Sequence, residues 1–328
     1  MSHGLTEKDY MFTSKQPPWH GLGTVVSKNL TSFDALKEAK LDWKVVSSKV
    51  YAENTMGVSE WFSGASPLKP IPKFMANVRE DTNEVLGIVS DRYKIIQNVD
   101  AFQFADELIN VEGLTDKAVY NTAGSLFGGK KVWMLIELPI ERIFDDDIAP
   151  YLAVVNTHDG SGALKVFNCA TRIVCRNTLH VALKEGRRHI SIRHLASAGD
   201  RKSEAFIIMN HHSAYFKAMR SFANDVVGIK VDPEKLLKKL FPTPDNDTKE
   251  KRDNREETKQ EIIQIFKDMD NLQNFQRNGW GFYNAIADWY SNKEPKRFTK
   301  TYNENRMNEY LEGVPILEKT KDLLLDLA

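Results

Sequence analysis

Cysteine is nearly absent from this chain: 328 residues carry only Cys169 and Cys175. Two thiols cannot build a disulfide framework, so a reducing, cytoplasmic compartment is expected. Five residues separate them, which is not the usual zinc spacing, and two small buried hydrophobes account for the pair. Long apolar runs are missing as well; nothing approaches the roughly 20 residues that a membrane span needs. The first residues, MSHGLTEKDYMFTSKQ, hold no apolar h-region, so no secretory signal is expected there. Phosphate-loop, dinucleotide and nucleophile-elbow signatures are lacking too. Gly128-Gly129-Lys130-Lys131 precedes a strand and lacks the Walker spacing. Ser161 and Cys175 sit in no nucleophile elbow or protease signature. No catalytic group and no cofactor is assigned.

Net charge is also absent, with 45 basic side chains against 45 acidic ones. Its distribution is uneven. Between Lys165 and Lys230 there are twelve lysines and arginines but only four acids, Glu185, Asp200, Glu204 and Asp225. Segregated cations of this kind are the footprint of a phosphate-binding surface.

Along the chain, residues 1–30 read as an irregular arm, because Pro17-Pro18 and Gly21 and Gly23 break regular structure. An α+β core is expected over 31–241. It consists of an antiparallel β-meander packed against helices, with a helix Ser32–Lys40, strands Trp43–Tyr51, Lys73–Arg79 and Val85–Val89, and a helix capped by Asn98. Two strands meet across Gly128-Gly129, and Tyr151–Thr157 turns through Asp159-Gly160 into Ala163–Asn168. A helix over Thr171–Lys184 would align Arg172, Arg176, His180 and Lys184 on one face. A long helix spans Asp200–Val227, and Asp232-Pro233 opens another. Residues 242–260 read as a charged linker or helix lead-in, and 261–328 as a mainly helical C-terminal region with helices at Glu261–Leu272, Gly281–Ser291, Asn305–Leu311 and Glu318–Leu327.

Four motifs carry a resemblance: Trp19-His20-Gly21-Leu22-Gly23; Asp91-Arg92-Tyr93-Lys94-Ile95-Ile96-Gln97-Asn98; Asn156-Thr157-His158-Asp159-Gly160-Ser161; and Cys175-Arg176-Asn177-Thr178-Leu179. With Asn284-Ala285-Ile286 they resemble the phage/plasmid-like proteins grouped as domain of unknown function 932. That likeness implies a phage, prophage or plasmid setting within a bacterial host cell, and no activity. The order helix, meander, helix is also similar to the core of phage single-strand annealing proteins of the Redβ, RecT and Erf kinds. This second likeness implies ATP-independent binding and annealing of single-stranded DNA by a ring- or filament-forming homo-oligomer, with no membrane partner.

On that reading Lys165, Arg172, Arg176, Lys184, Arg187 and Arg188 hold phosphates, Tyr93 and Phe167 stack on bases, and the turn Asn156, His158 and Asp159 shapes a groove wall. Two alternatives stay open. One is a counter-defence protein that binds a host protein or a nucleotide signal. The other is a metal-dependent phosphohydrolase or nuclease built on His158 and Asp159, with His211-His212 as further ligands.

Overall fold

The computed structural model describes residues 9–14, 24–26, 30–53, 68–111, 118–144, 146–162, 164–172, 178–179, 189–192, 198–268, 277–293 and 314–328. The Trp19–Gly23 motif and the expected Asn305–Leu311 helix lie outside them. The architecture is α+β, with seven helices and twelve strands among the described residues. The chain divides into two compact units. The first comprises Met1–Ile136, Ala153–Val166 and Ile190–Ile207, and the second Glu137–Leu152, Phe167–His189 and Ile208–Ala328.

In the first unit, β3 (Val45–Glu53), β4 (Leu68–Arg79) and β5 (Val85–Ser90) form the expected three-stranded antiparallel meander. Helix α1 (Ser32–Glu38) is capped by Thr31: Thr31 Oγ1 accepts from Asp34 N at 3.2 Å and the Asp34 carboxylate accepts from Thr31 N. Ser32 donates its hydroxyl to Asp106. Helix α2 (Asn98–Val111) turns Ala101, Phe102, Ala105, Leu108 and Ile109 into the core at helical spacing and packs on α1.

The arm is not wholly irregular. Its residues form β1 (Met11–Thr13) and β2 (Thr24–Val25), paired in parallel, and β1 also pairs antiparallel with β6 (Val119–Leu126). The reason is apolar: Met11 and Phe12 are buried and act as core residues. Strands β6 and β7 (Lys131–Glu137) are joined across Gly128 and Gly129, whose φ angles of 71° and 91° suit glycine.

The second unit has a helical core. Helix α3 (Ala198–Val227) supplies Tyr215, Phe216, Met219, Phe222, Ala223 and Val226 on one stripe. Helix α4 (Pro233–Leu240) starts as its sequence predicts, with Asp232 Oδ1 accepting from Glu234 N and Lys235 N and proline at N1. Helix α5 (Lys249–Asp268) begins within the expected linker. Its first turns are mostly solvated, and Lys259, Ile262, Ile263 and Phe266 form its buried end. Helix α6 (Gly279–Asn292) is buried on every side from Gly279 to Ala287, and α7 (Pro315–Leu325) docks on it through Leu317, Thr320 and Leu324. Trp280 stacks on Tyr283, and Phe222 meets both rings edge-on. Gly279 is required here, since a Cβ would lie 2.7 Å from the Val226 carbonyl oxygen.

The remaining strands are β8 (Glu141–Ile143), β9 (Asp146–Thr157), β10 (Leu164–Arg172), β11 (Thr178–Leu179) and β12 (His189–Ile192). The helix expected over Thr171–Lys184 is corrected where it is described: Ala170 pairs with Leu179 and Thr171 with Thr178 in an antiparallel β10–β11 ladder, and residues 173–177 and 180–184 lie outside the described residues. The sequence TRIVCRNTL is rich in β-branched side chains, which fit a pleated surface better than a helix. Among the described residues no helix is long and apolar enough to cross a membrane.

His212 of α3 lies against Phe216, and its Nδ1 donates to Asn168 Oδ1 at 2.7 Å. Burial lowers its pKa to about 4. The unfolded ring takes up a proton below about 6.5, whereas the folded ring does not until about 4. Stability from this group is therefore present above that upper value and is lost as pH falls towards the lower one, by up to roughly 3 kcal/mol. Urea unfolding at neutral and mildly acidic pH is expected to show a smaller acid loss in His212→Gln than in the parent chain.

Candidate functional site

The two longest family-like motifs meet in the first unit. Strand β9 ends at Asn156-Thr157 and turns through His158-Asp159-Gly160-Ser161. Asp159 Oδ1 accepts from Ser161 N at 2.9 Å, Gly160 takes φ of 82°, and Thr157 Oγ1 donates to Gly162 O at 2.7 Å. These are the bonds of an Asx-type turn. The turn is pressed onto β5: a Cβ at Gly87 would lie 2.5 Å from Asp159 Cα.

The DRYKIIQN segment holds this turn from the other side. Tyr93 donates its hydroxyl to Thr157 O at 2.7 Å, and Asn156 Nδ2 donates to Ile96 O at 3.0 Å. The Gln97 amide mimics a strand, accepting from Val45 N at 3.0 Å and donating to Val45 O at 2.8 Å. Asn98 reaches inward rather than capping α2. Its Nδ2 donates to Leu41 O at 2.9 Å, which orients Oδ1 towards His158 Nε2 at 2.8 Å. An amide oxygen only accepts, so His158 carries its proton on Nε2.

His158 is fully buried and is tied down at every level. Its backbone N donates to Lys130 O at 2.8 Å, and its carbonyl accepts from Asn77 Nδ2 at 2.7 Å. Its ring meets Trp43 edge-on with centroids 5.5 Å apart. Trp43 in turn carries the Arg79 guanidinium on its face at 4.5 Å, and Arg79 pairs with Asp81 at 2.7 Å.

These placements revise the predicted site. Asn156 and His158 are interior braces, with Asp159 half-buried beside them, so they support a surface instead of lining a groove. Tyr93 is likewise a brace. Burial first, and the nearby Asp159 charge second, raise its pKa to about 12, so it stays a hydroxyl donor. Lys165 lies half-buried on β10, with Arg172 at the end of that strand. The side chains of Phe167 and Arg172 lie outside the described residues, as do Arg176, Lys184, Arg187 and Arg188 entirely.

The metal reading finds no ligand set. Asp159 is occupied as a turn acceptor, and among the described residues no three His, Cys, Asp or Glu side chains gather around one point. The Gly128-Gly129 loop does form an anion-binding nest, but its anion is internal. The Asp9 carboxylate accepts from Gly128 N at 2.9 Å, from Gly129 N at 3.1 Å and from Ser125 Oγ at 2.7 Å.

Sequence reasoning missed Gln97, Asn77 and Asp9. The amides Gln97 and Asn98 side by side after an apolar pair were the available signal, since buried amides need partners. Asp9 gave none, because its partners lie far along the chain.

Asn98→Ala is expected to lower stability by about 2–4 kcal/mol, because it strands the Leu41 carbonyl and the His158 Nε2 proton. Tyr93→Phe, which loses one bond, costs about 1 kcal/mol. Gly87→Ala forces backbone against backbone and costs about 2 kcal/mol or more. Chemical denaturation of the three variants measures all of these.

A family model described as Domain of unknown function (DUF932) matches residues 85–311. No curated protein matches significantly, and no solved structure does. The matched span contains Tyr93, Gln97, Asn98, Asn156 and His158, the residues that brace the turn.

Proposed function

The chain belongs to the family described as Domain of unknown function (DUF932), and from that footing we propose that it binds single-stranded DNA and pairs complementary strands without ATP, in a phage or plasmid setting inside a bacterial cell. One observation carries the reading: twelve cations against four acids between Lys165 and Lys230, within a chain of zero net charge. Opposed by so few acids, these cations exchange condensed counterions for phosphates, which is the whole driving force that non-specific binding needs.

The β10–β11 ladder changes how such a surface is built. A helix would have set its cations in one row, whereas a β-hairpin offers an extended backbone that can run beside an extended strand of nucleic acid. Lys165, Arg172, Arg176, Lys184, Arg187 and Arg188 remain the phosphate contacts, and Phe167 the base platform. Tyr93, half-buried and fixed through its hydroxyl on Thr157, stays in the set as a second platform. Pairing of strands asks only for charge neutralisation and base presentation, so it requires no catalytic constellation.

Gel mobility shifts with single-stranded oligonucleotides over a range of salt test the proposal. Six phosphate contacts predict a log–log salt slope of about −4. Arg187→Glu with Arg188→Glu is expected to weaken binding at least about tenfold while leaving the circular dichroism spectrum unchanged. No shift at low salt would sink the reading. Tight binding of mononucleotides, with no gain for longer oligonucleotides, would point instead to a nucleotide signal as the ligand.

A further inference from the structure

The β3–β4–β5 sheet has one face turned into its unit and one turned out. Asn77 marks the inner face by reaching His158 O, and Met75 and Val89 are paired on that same face. Alternation then assigns the outer face. It carries three cross-strand rows: Val46, Val78 and Val85; Ser48, Ala76 and Ile88; and Phe74 beside Ser90. Four apolar side chains of these rows meet water, with Val46 38%, Phe74 50%, Val85 58% and Ile88 59% exposed, beside the exposed Ser48 and Ser90. Contiguous exposed apolar side chains on one sheet face mark an interaction surface.

The charges at its two ends are opposite. Beside the valine row and the β4–β5 turn stand four acids, Asp42, Glu80, Asp81 and Glu84, against Lys44 and Arg79. Beyond the phenylalanine row stand, among the described residues, four cations, Lys69, Lys73, Arg92 and Lys94, against Glu53 and Asp91. Lys73 and Asp91 are joined through a backbone hydrogen bond at that end. One end is thus net negative by two and the other net positive by two.

From this pattern we propose that the outer face docks a second copy of the chain about a two-fold axis lying in the interface and perpendicular to the strands. That operation swaps the ends, so the cationic end of each copy faces the acidic end of its mate. It also places the Ser48–Ala76–Ile88 row against itself and sets Phe74 of one copy over the Val46–Val78–Val85 row of the other. The largest side chain, flanked by the small Ser90, meets a row of uniform valines. An axis parallel to the strands would oppose like charges and like rows. An isologous contact of this kind closes on itself. Three strands spaced by about 4.8 Å and five residues rising about 3.4 Å each give a face of about 14 by 17 Å, small among interfaces. A monomer–dimer equilibrium with a dissociation constant of tens of micromolar is the expected strength.

The proposal stands apart from nucleic-acid binding, and sedimentation velocity on the full chain without DNA tests it. The sedimentation coefficient is expected to rise with concentration from about 1 to about 200 μM. Ile88→Lys, at an exposed position, is expected to raise the dissociation constant at least about tenfold. Glu80→Lys/Glu84→Lys and Lys69→Glu/Lys73→Glu are each expected to self-associate more weakly than the parent, while a mixture of the two pairs more tightly than either alone. A chain monomeric throughout the range would overturn the proposal. So would a dimer indifferent to Ile88→Lys, or a mixture no tighter than its components.

Discussion

The hydrogen bond between the Asn98 amide and the His158 ring is the contact on which the first unit depends. Both side chains are buried, so neither can exchange its partner for water. The amide's other end holds Leu41 in front of β3, and the histidine's backbone holds Lys130 on one side and Asn77 on the other. One pair of side chains therefore joins the start of α2, the lead into β3, strand β4, the β6–β7 turn and the end of β9. A hydrophobic core tolerates many rearrangements of similar energy. A buried polar network tolerates few, because each alternative strands a further donor or acceptor.

The second unit solves the same problem with rings. Around α6, apolar side chains point in every direction, and Trp280, Tyr283 and Phe222 lock by edge and face contacts. Its polar groups are few. Asn284 folds its amide back to the Trp280 carbonyl at 2.8 Å, satisfying its donor within the helix. Position-specific amides define the first unit, whereas shape and aromatic packing define the second.

Much of the fold was legible because its signals are local. The meander alternates apolar and polar residues, Asp232-Pro233 announces a helix start, and Asp159-Gly160 announces a turn. The misread segments fail for identifiable reasons. Cations recur at helical spacing from Arg172 on, yet Thr171 and Thr178 are strand residues because they pair with each other, and spacing alone does not carry that pairing. Met11–Thr13 is too short to declare itself; it becomes a strand because β6 offers it an edge. Residues 249–260 look like linker because they hold no apolar side chain, and their helix buries only Lys259 before Ile262 reaches the core. The site was half legible. The motif residues Asn156, His158 and Tyr93 could be singled out, but whether a polar side chain faces water or a buried partner depends on contacts some 60 residues away along the chain.

The Asp9 plug in the Gly128-Gly129 nest has a consequence for the order in which the molecule forms. The carboxylate and the amides it satisfies are 119 and 120 residues apart, and β1 must find β6 over a comparable distance. On a ribosome adding about 5–20 residues per second, the first strand waits on the order of ten seconds for its partner to be synthesised. Closure of the first unit therefore belongs to a late, non-local step, and the β6–β7 hairpin emerges before the residue that neutralises its turn has docked.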